Sequence, residues 1–325
     1  MTGRRLRLFL PALLILLLAA PASSALAEKT TGQDSLRRLY RDGRQLELLI
    51  SAGVPVQTQD KLVVWIDFLA DALRQVYGHW PRQRWQVSIT PASGNADDPL
   101  PWAQVHRGEI DRVEFFAVTA TPLDDLKQAW TGYHELAHLL IPYRGWGDAW
   151  FSEGLASYYQ NILRVRAVVI TEQQLWQKLH EGFQRGLADK RFDGQPLDAV
   201  SAGLRDKGGF MRVYWSGAWY FLVADTRLRL QSGGSRGLDQ ALAELNRCCA
   251  NQQLSVVEMV DLLDELNRLA LFRPLYEEVA GSTRVPEYAA IFASMGIDII
   301  DGQVYLQQQG PGTRLRRQLV SGPAL

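Results

Sequence analysis

Only two cysteines occur among 325 residues, and they are neighbours, Cys248 and Cys249. That count excludes a framework of disulfides. Adjacent cysteines close on each other in a small ring, pair with another chain, or stay as two thiols at a helix end. No further Cys or His stands at short spacing, so they make a poor zinc pair. Neither sign of charge is in excess, since 35 basic residues meet 35 acidic ones. No block of basic residues is present, which argues against a nucleic-acid surface. Beyond the N-terminus no stretch of about 18 uninterrupted apolar residues occurs, so no transmembrane helix is predicted. Internal repeats and low-complexity tracts are missing as well.

The N-terminus has the makings of an export signal. Arg4, Arg5 and Arg7 give a positive start, residues 8–20 are an apolar stretch short for a bilayer, and Ala25-Leu26-Ala27 fits an A-x-A cleavage site. Residues 1–27 are therefore expected to be removed, leaving Glu28 first and a soluble product outside the cytoplasm, periplasmic or extracellular. The competing reading is an uncleaved anchor. Cleavage removes three basic residues and no acidic one, which brings the remainder to a net −3.

Periodicity and punctuation predict an α+β chain with helices dominant. A helix is expected over 35–50 and a stronger one over 59–77, with Leu62, Trp65, Ile66, Leu69, Leu73 and Val76 on one stripe and Gly78 as its stop. Strands are expected at 85–89 and 112–120, separated by a polar loop over 91–101. Thr121-Pro122-Leu123-Asp124 predicts a helix start, Thr121 capping and Pro122 first in the helix, with the helix running to Ile141 before Pro142. Further helices are expected over 148–163, 175–187, 212–230 and 238–245. A loop is expected over 189–209, and Ser255 to Glu258 forms a capping box. From Gly310 the tail is expected to fray. The predicted domains are the signal 1–27, a lobe of helices and a small sheet over 28–120, a helical lobe over 121–300 that carries the chemistry, and a tail over 301–325.

Chemistry concentrates in His134-Glu135-Leu136-Ala137-His138. Histidines four apart on a helix project from one face, and zinc accepts neutral imidazole nitrogen. Glu135 then lies beside the site without ligating and suits a general base. A catalytic zinc takes three protein ligands. Glu153, 15 residues after His138 and on the next predicted helix, can complete the set after an antiparallel return. Gly154 beside it allows close helix approach. Taken alone, Glu153 would read as a solvated helix charge.

His134 to His138 followed by Trp150-Phe151-Ser152-Glu153-Gly154 resembles the gluzincin clan of zinc peptidases. The sequence is similar to the glycyl aminopeptidase family and, more distantly, to aminopeptidase N. The resemblance implies a thermolysin-like zincin domain with one zinc per chain. Val213-Tyr214-Trp215-Ser216-Gly217-Ala218 resembles the segment where those families place a tyrosine whose hydroxyl steadies the oxyanion, which points to Tyr214. A core aromatic among Trp215, Trp219, Tyr220 and Phe221 is the competing reading. Arg284-Val285-Pro286-Glu287-Tyr288 and Met295-Gly296-Ile297 match more weakly. The G-A-M-E-N strand of aminopeptidase N is missing. Glu114 could stand in for it as the anchor of a substrate amine, or be a surface residue of an alternating strand.

The expected function is hydrolysis of peptide bonds in peptides or proteins by a secreted zinc enzyme, with Glu135 and Tyr214 catalytic and His134, His138 and Glu153 on the metal. Two alternatives stand beside it: a non-catalytic binding or assembly protein on the same fold, and a zinc amidase acting on cell-wall peptides.

Overall fold

Alternation of side chains sets up the first layer. The computed structural model describes residues 33–94, 97–143, 145 and 147–322. The export signal and its cleavage point lie outside them. Strands β1 (Ser35–Arg41), β2 (Arg44–Ile50), β3 (Arg84–Pro91), β4 (Trp102–His106) and β5 (Arg112–Ala117) form one sheet in the order β1-β2-β3-β5-β4. The central pairs β2–β3 and β3–β5 are parallel, and the edge strands β1 and β4 run antiparallel. Leu46, Leu48 and Ile50, Trp85, Val87 and Ile89, and Val113, Phe115 and Ala117 are all buried, every second residue along each strand. Helix α1 (Val56–Arg74) buries Leu62, Trp65, Ile66, Leu69 and Leu73, the expected stripe, in the same core. Each such side chain stabilises the fold by about 1.5–3 kcal/mol. Gly78, at φ +76°, donates to Arg74 O and closes the helix as expected.

The helix expected over 35–50 is instead the β1–β2 hairpin. Asp42 and Gly43 both have positive φ, 52° and 72°, between the paired Arg41 and Arg44. That is the two-residue turn that matches strand twist. The run Leu48-Leu49-Ile50 blurs the alternation, yet only Leu49 of the three faces outward.

The second layer is helical. It comprises α2 (Leu123–Gln128), α3 (Trp130–Ala137), α4 (Ala149–Arg166), α5 (Glu172–Ala188), α6 (Leu197–Ala202), α7 (Leu204–Lys207), α8 (Phe210–Gln231), α9 (Leu238–Cys249), α10 (Val256–Asn267), α11 (Phe272–Ala280) and α12 (Ala289–Ser294). A hairpin of β6 (Ile297–Ile300) and β7 (Gln303–Leu306) and helix α13 (Pro311–Ser321) follow. The capping box at Ser255 opens α10 as expected.

Four expectations need correction here. The helix predicted over 121–141 is broken at Ala129, whose ψ is 117°. Neighbouring side chains take the carbonyls there: Trp65 donates to Leu126 O, Tyr133 to Lys127 O and Arg164 to Gln128 O. Pro122, not Thr121, is the N-cap, and Thr121 Oγ1 has no partner. The loop expected over 189–209 holds α6 and α7, with Leu197 and Val200 buried and Ser201 Oγ accepting from Trp150 N. The tail from Gly310 is not frayed. Its helix α13 buries Leu315, Arg316 and Leu319.

Helices α4 and α8 cross at two glycines. A Cβ on Gly154 would lie 2.3 Å from Gly217 backbone atoms, and one on Gly217 would lie 2.1 Å from Trp150 O. Only glycine fits at either position. The close approach expected of Gly154 is therefore made to α8, not to the helix of the His motif.

Candidate metal centre

The His motif straddles a helix end. His134 lies in the last turn of α3, and His138 opens a single 3₁₀ turn, His138–Leu140. Its backbone stays right-handed helical, at φ −56° and ψ −28°, so the two imidazoles keep a common face. They are buried, with ring centroids 5.1 Å apart. From α4, Glu153 reaches the same point. Its Oε2 lies 3.2 Å from His134 Nε2 and 3.8 Å from His138 Nε2. One ligand atom from each of the three lies within 4.8 Å of the others.

The other face of each imidazole is occupied. His134 Nδ1 lies 2.9 Å from Gln160 Oε1 and His138 Nδ1 lies 2.8 Å from Ser152 Oγ. A carboxamide oxygen only accepts, so His134 Nδ1 carries a proton, and Nε2, facing Glu153, is the atom left to ligate. Such outer partners orient ligating histidines. Two buried, oriented imidazole nitrogens and the oxygen of a half-buried carboxylate are a fitting donor set for a divalent transition ion. Sequence reasoning missed Ser152 and Gln160. The available signal was their place on α4: Ser152 precedes Glu153, and Gln160 follows it by two helical turns.

Side chains from the connections beside the sheet hold the end of the motif. Arg82 Nη2 donates to Ile141 O at 2.8 Å, Tyr77 Oη donates to Leu140 O at 2.6 Å, and Arg107 Nη2 donates to His138 O. These carbonyls have no further helical turn to accept from. Asp111, between β4 and β5, accepts from Arg82 at 2.8 Å and from Arg107 at 2.9 Å. The four side chains form a clamp that fixes His138 to the sheet.

Burial and charge shift the site's groups. Burial opposes a charge on His134, but the hydrogen bond and charge of Glu153 outweigh it and raise its pKa. Burial lowers His138 to about 3. Burial works to raise Glu153, yet His138 and His134 hold it below the usual carboxyl value. Burial pushes Glu135 up to about 7, with His134 lowering it and Glu153 raising it.

Tyr214, on α8, faces the same centre. Its ring lies 5.8 Å from that of His134. Burial, then the charges of Glu153 and Glu135, raise its pKa. Glu114, the possible amine anchor, and His180, a histidine downstream of the motif, lie elsewhere. His180 Nδ1 sits 2.8 Å from Tyr288 Oη. Glu114 is paired with His106 Nε2 at 2.8 Å across β4 and β5, outside the ligand group.

Comparison with known proteins places this geometry in context. The family model of M61 glycyl aminopeptidase matches residues 146–217, which hold Glu153 and Tyr214 and stop short of the His motif. No curated protein matches the chain. An aminopeptidase N family protein from Idiomarina loihiensis is similar in structure, with a TM-score of 0.59 at 14% identity over 82% of this chain and 50% of that one. The M1 zinc metallopeptidase from Deinococcus radiodurans has a TM-score of 0.48 at 17% identity, over 79% of this chain and 53% of that one. The chain thus spans about half the length of these proteins. The expected resemblance to gluzincins holds, and so does the α+β zincin fold.

Proposed function

We propose that the protein is a zinc-dependent metallopeptidase of the gluzincin kind, holding one zinc per chain through His134, His138 and Glu153. The observation that carries this reading is the convergence of those three side chains, with the outer nitrogens of both imidazoles already engaged. Zinc, when bound, supplies Lewis acidity that polarises a peptide carbonyl and acidifies a water. The chain's own residues do the rest. Glu135, next to His134 and outside the ligand group, accepts a proton from the attacking water and delivers it to the leaving amine. Tyr214 presents a phenol O–H toward the oxygen on which charge develops. Ser152 and Gln160 keep the imidazoles turned, and the Arg82–Asp111–Arg107 clamp keeps the motif seated.

The substrate is a peptide or protein. Residues 1–27 support an exported enzyme acting in the periplasm or outside the cell. Among the described residues no helix is long and apolar enough to cross a membrane. A digest of a peptide library, with and without chelator and with Glu135→Gln as the blank, tests the reading. Cleavage that disappears in both controls is expected. Zinc-loaded wild-type protein that cleaves no peptide would overturn it and leave a binding protein or a cell-wall amidase.

A further inference from the structure

Away from the metal centre, a cavity of about 490 Å³ lies between the first hairpin, the turn before β3 and the end of α9. Its wall has an unusual charge balance. Arg44, His79 and Arg247 line it together with the carboxamides of Gln83 and Asn246, and no carboxylate does. Arg44 spends its Nε on Trp80 O, and no described carboxylate pairs with Arg44 or Arg247. The nearby Asp42 is engaged by Arg74 instead. Partial burial disfavours the charge of Arg44, and Asp42 offsets only part of it, so a bound anion would favour that charge further.

The same wall holds sulfur. Cys248 and Cys249 are bonded to each other, sulfur to sulfur, at the C-terminus of α9. They are the ring rather than the two thiols that sequence also allowed. Cys248 is exposed and lines the cavity, while Cys249 is 5% exposed and lies behind it. A nucleophile entering the cavity therefore meets one sulfur of the bond and not the other.

We propose that this cavity is a thiol-exchange site for small anionic thiols, those that carry a carboxylate or sulfonate, with Arg44 and Arg247 holding the anion and Cys248 receiving the sulfur. The thiolate forms a new S–S bond to Cys248 Sγ. The Cys248–Cys249 bond breaks, and its electron pair leaves on Cys249, which takes a proton from water. A second thiolate then attacks the small molecule's sulfur in the mixed disulfide. Cys248 departs as a thiolate, and the products are a protein dithiol and the symmetrical small disulfide. The protein gains two electrons, and two thiols lose them.

The test uses the full chain, purified without reductant, and three probes: mercaptoethanesulfonate, mercaptoethanol and cysteamine. The mixed disulfide is trapped by alkylating the freed thiol and located by peptide mass spectrometry. Rates are normalised to the thiolate fraction of each probe. The anionic probe is expected to react about tenfold faster than the neutral one, the low end of what charge focusing gives. Salt should erode that margin. The cationic probe should be slowest, and every adduct should sit on Cys248. Arg247→Gln, at an exposed position, should cut the anionic advantage without unfolding the protein, and Arg44→Gln should cut it further. Equal normalised rates for the anionic and neutral probes would overturn the proposal. So would adducts on Cys249, or two free thiols in the untreated protein.

Discussion

Glu135 and Tyr214 stand beside the ligand group without belonging to it, and the difference between neighbour and ligand is measurable. His134→Ala or His138→Ala removes a donor and should leave the purified protein without zinc. Glu135→Gln should retain about one zinc per chain, since a ligand set of three is complete without it. Metal analysis of the three variants decides, and a metal-free Glu135→Gln protein would make Glu135 a ligand rather than a proton carrier. Tyr214 separates more sharply. If its hydroxyl meets the developing oxyanion, Tyr214→Phe should lower turnover by about 10²–10³ with substrate binding little changed. Zinc content and melting temperature should not move, because the ring that packs near His134 is kept. A phenol that only packs would give normal turnover and a stability loss of at most about 0.5–1.5 kcal/mol. Both residues were legible from the chain, Glu135 through its fixed place between two histidines and Tyr214 through resemblance. Ser152 and Gln160 were not. A serine and a glutamine on a helix are ordinary until a neighbouring helix turns two imidazoles toward them.

At the scale of elements, the motif depends on the sheet as much as on its own helix. Asp111 holds Arg82 and Arg107, and those two hold the carbonyls of Ile141 and His138. Asp111→Asn leaves one buried and one half-buried guanidinium group without their shared carboxylate and should cost about 3 kcal/mol, the low end for a broken buried pair, at neutral pH in urea titrations. Its pH dependence follows from the folded state. Burial alone would raise the Asp111 pKa, but Arg107 and Arg82 outweigh it and hold the carboxyl below its ordinary value. A depressed carboxyl adds stability that is full above the unfolded pKa of about 3.9 and fades as pH falls through the folded one. The gap between wild type and Asp111→Asn should therefore narrow below about pH 4, and a gap constant from pH 7 to 3 would refute the clamp's charge. Clamps of this kind stay hidden in sequence, because Arg82 comes from the turn before β3, while Arg107 and Asp111 share the β4–β5 connection and the carbonyl that Arg107 holds lies 31 residues further on. Helix α1 and the capped start of α10 were readable because their signals are local. The first hairpin was missed although Asp42-Gly43 marks it, since the mixed Leu and Arg spacing of residues 35–50 also suits a helix. The break at Ala129 was unreadable, because two of the donors that satisfy the carbonyls there, Trp65 and Arg164, come from distant elements of the fold.

On the scale of the whole molecule, the described residues within Gly32–Leu325 cluster into one compact unit with a shared core. The C-terminal helix shows how that unit is closed. Arg166, at the end of the ligand helix α4, pairs with Asp239 at 2.7 Å and also donates to Leu319 O and Val320 O. Arg316 on α13 pairs with Glu172 at 2.7 Å and donates to the carbonyls of Met295, Gly296 and Gln307. One helix thus joins α4, α5 and the β6–β7 hairpin. Composition alone, rich in Gly, Pro and Arg, reads as a frayed end, because the partners of Arg316 lie up to 144 residues away. The two readings differ in outcome. Ending the chain at Gly310 removes the buried Leu315 and Leu319, each contributing about 1.5–3 kcal/mol, and strips Arg166 of two acceptors. The truncated protein should lose about 3 kcal/mol or more, and Arg316→Ala alone should account for a substantial share by leaving Glu172 and three carbonyls without their donor. Urea titrations of the full chain, the truncation and Arg316→Ala, followed by near-UV circular dichroism, read this directly. A frayed tail predicts three superimposable curves, and that result would mean that α13 does not dock in solution.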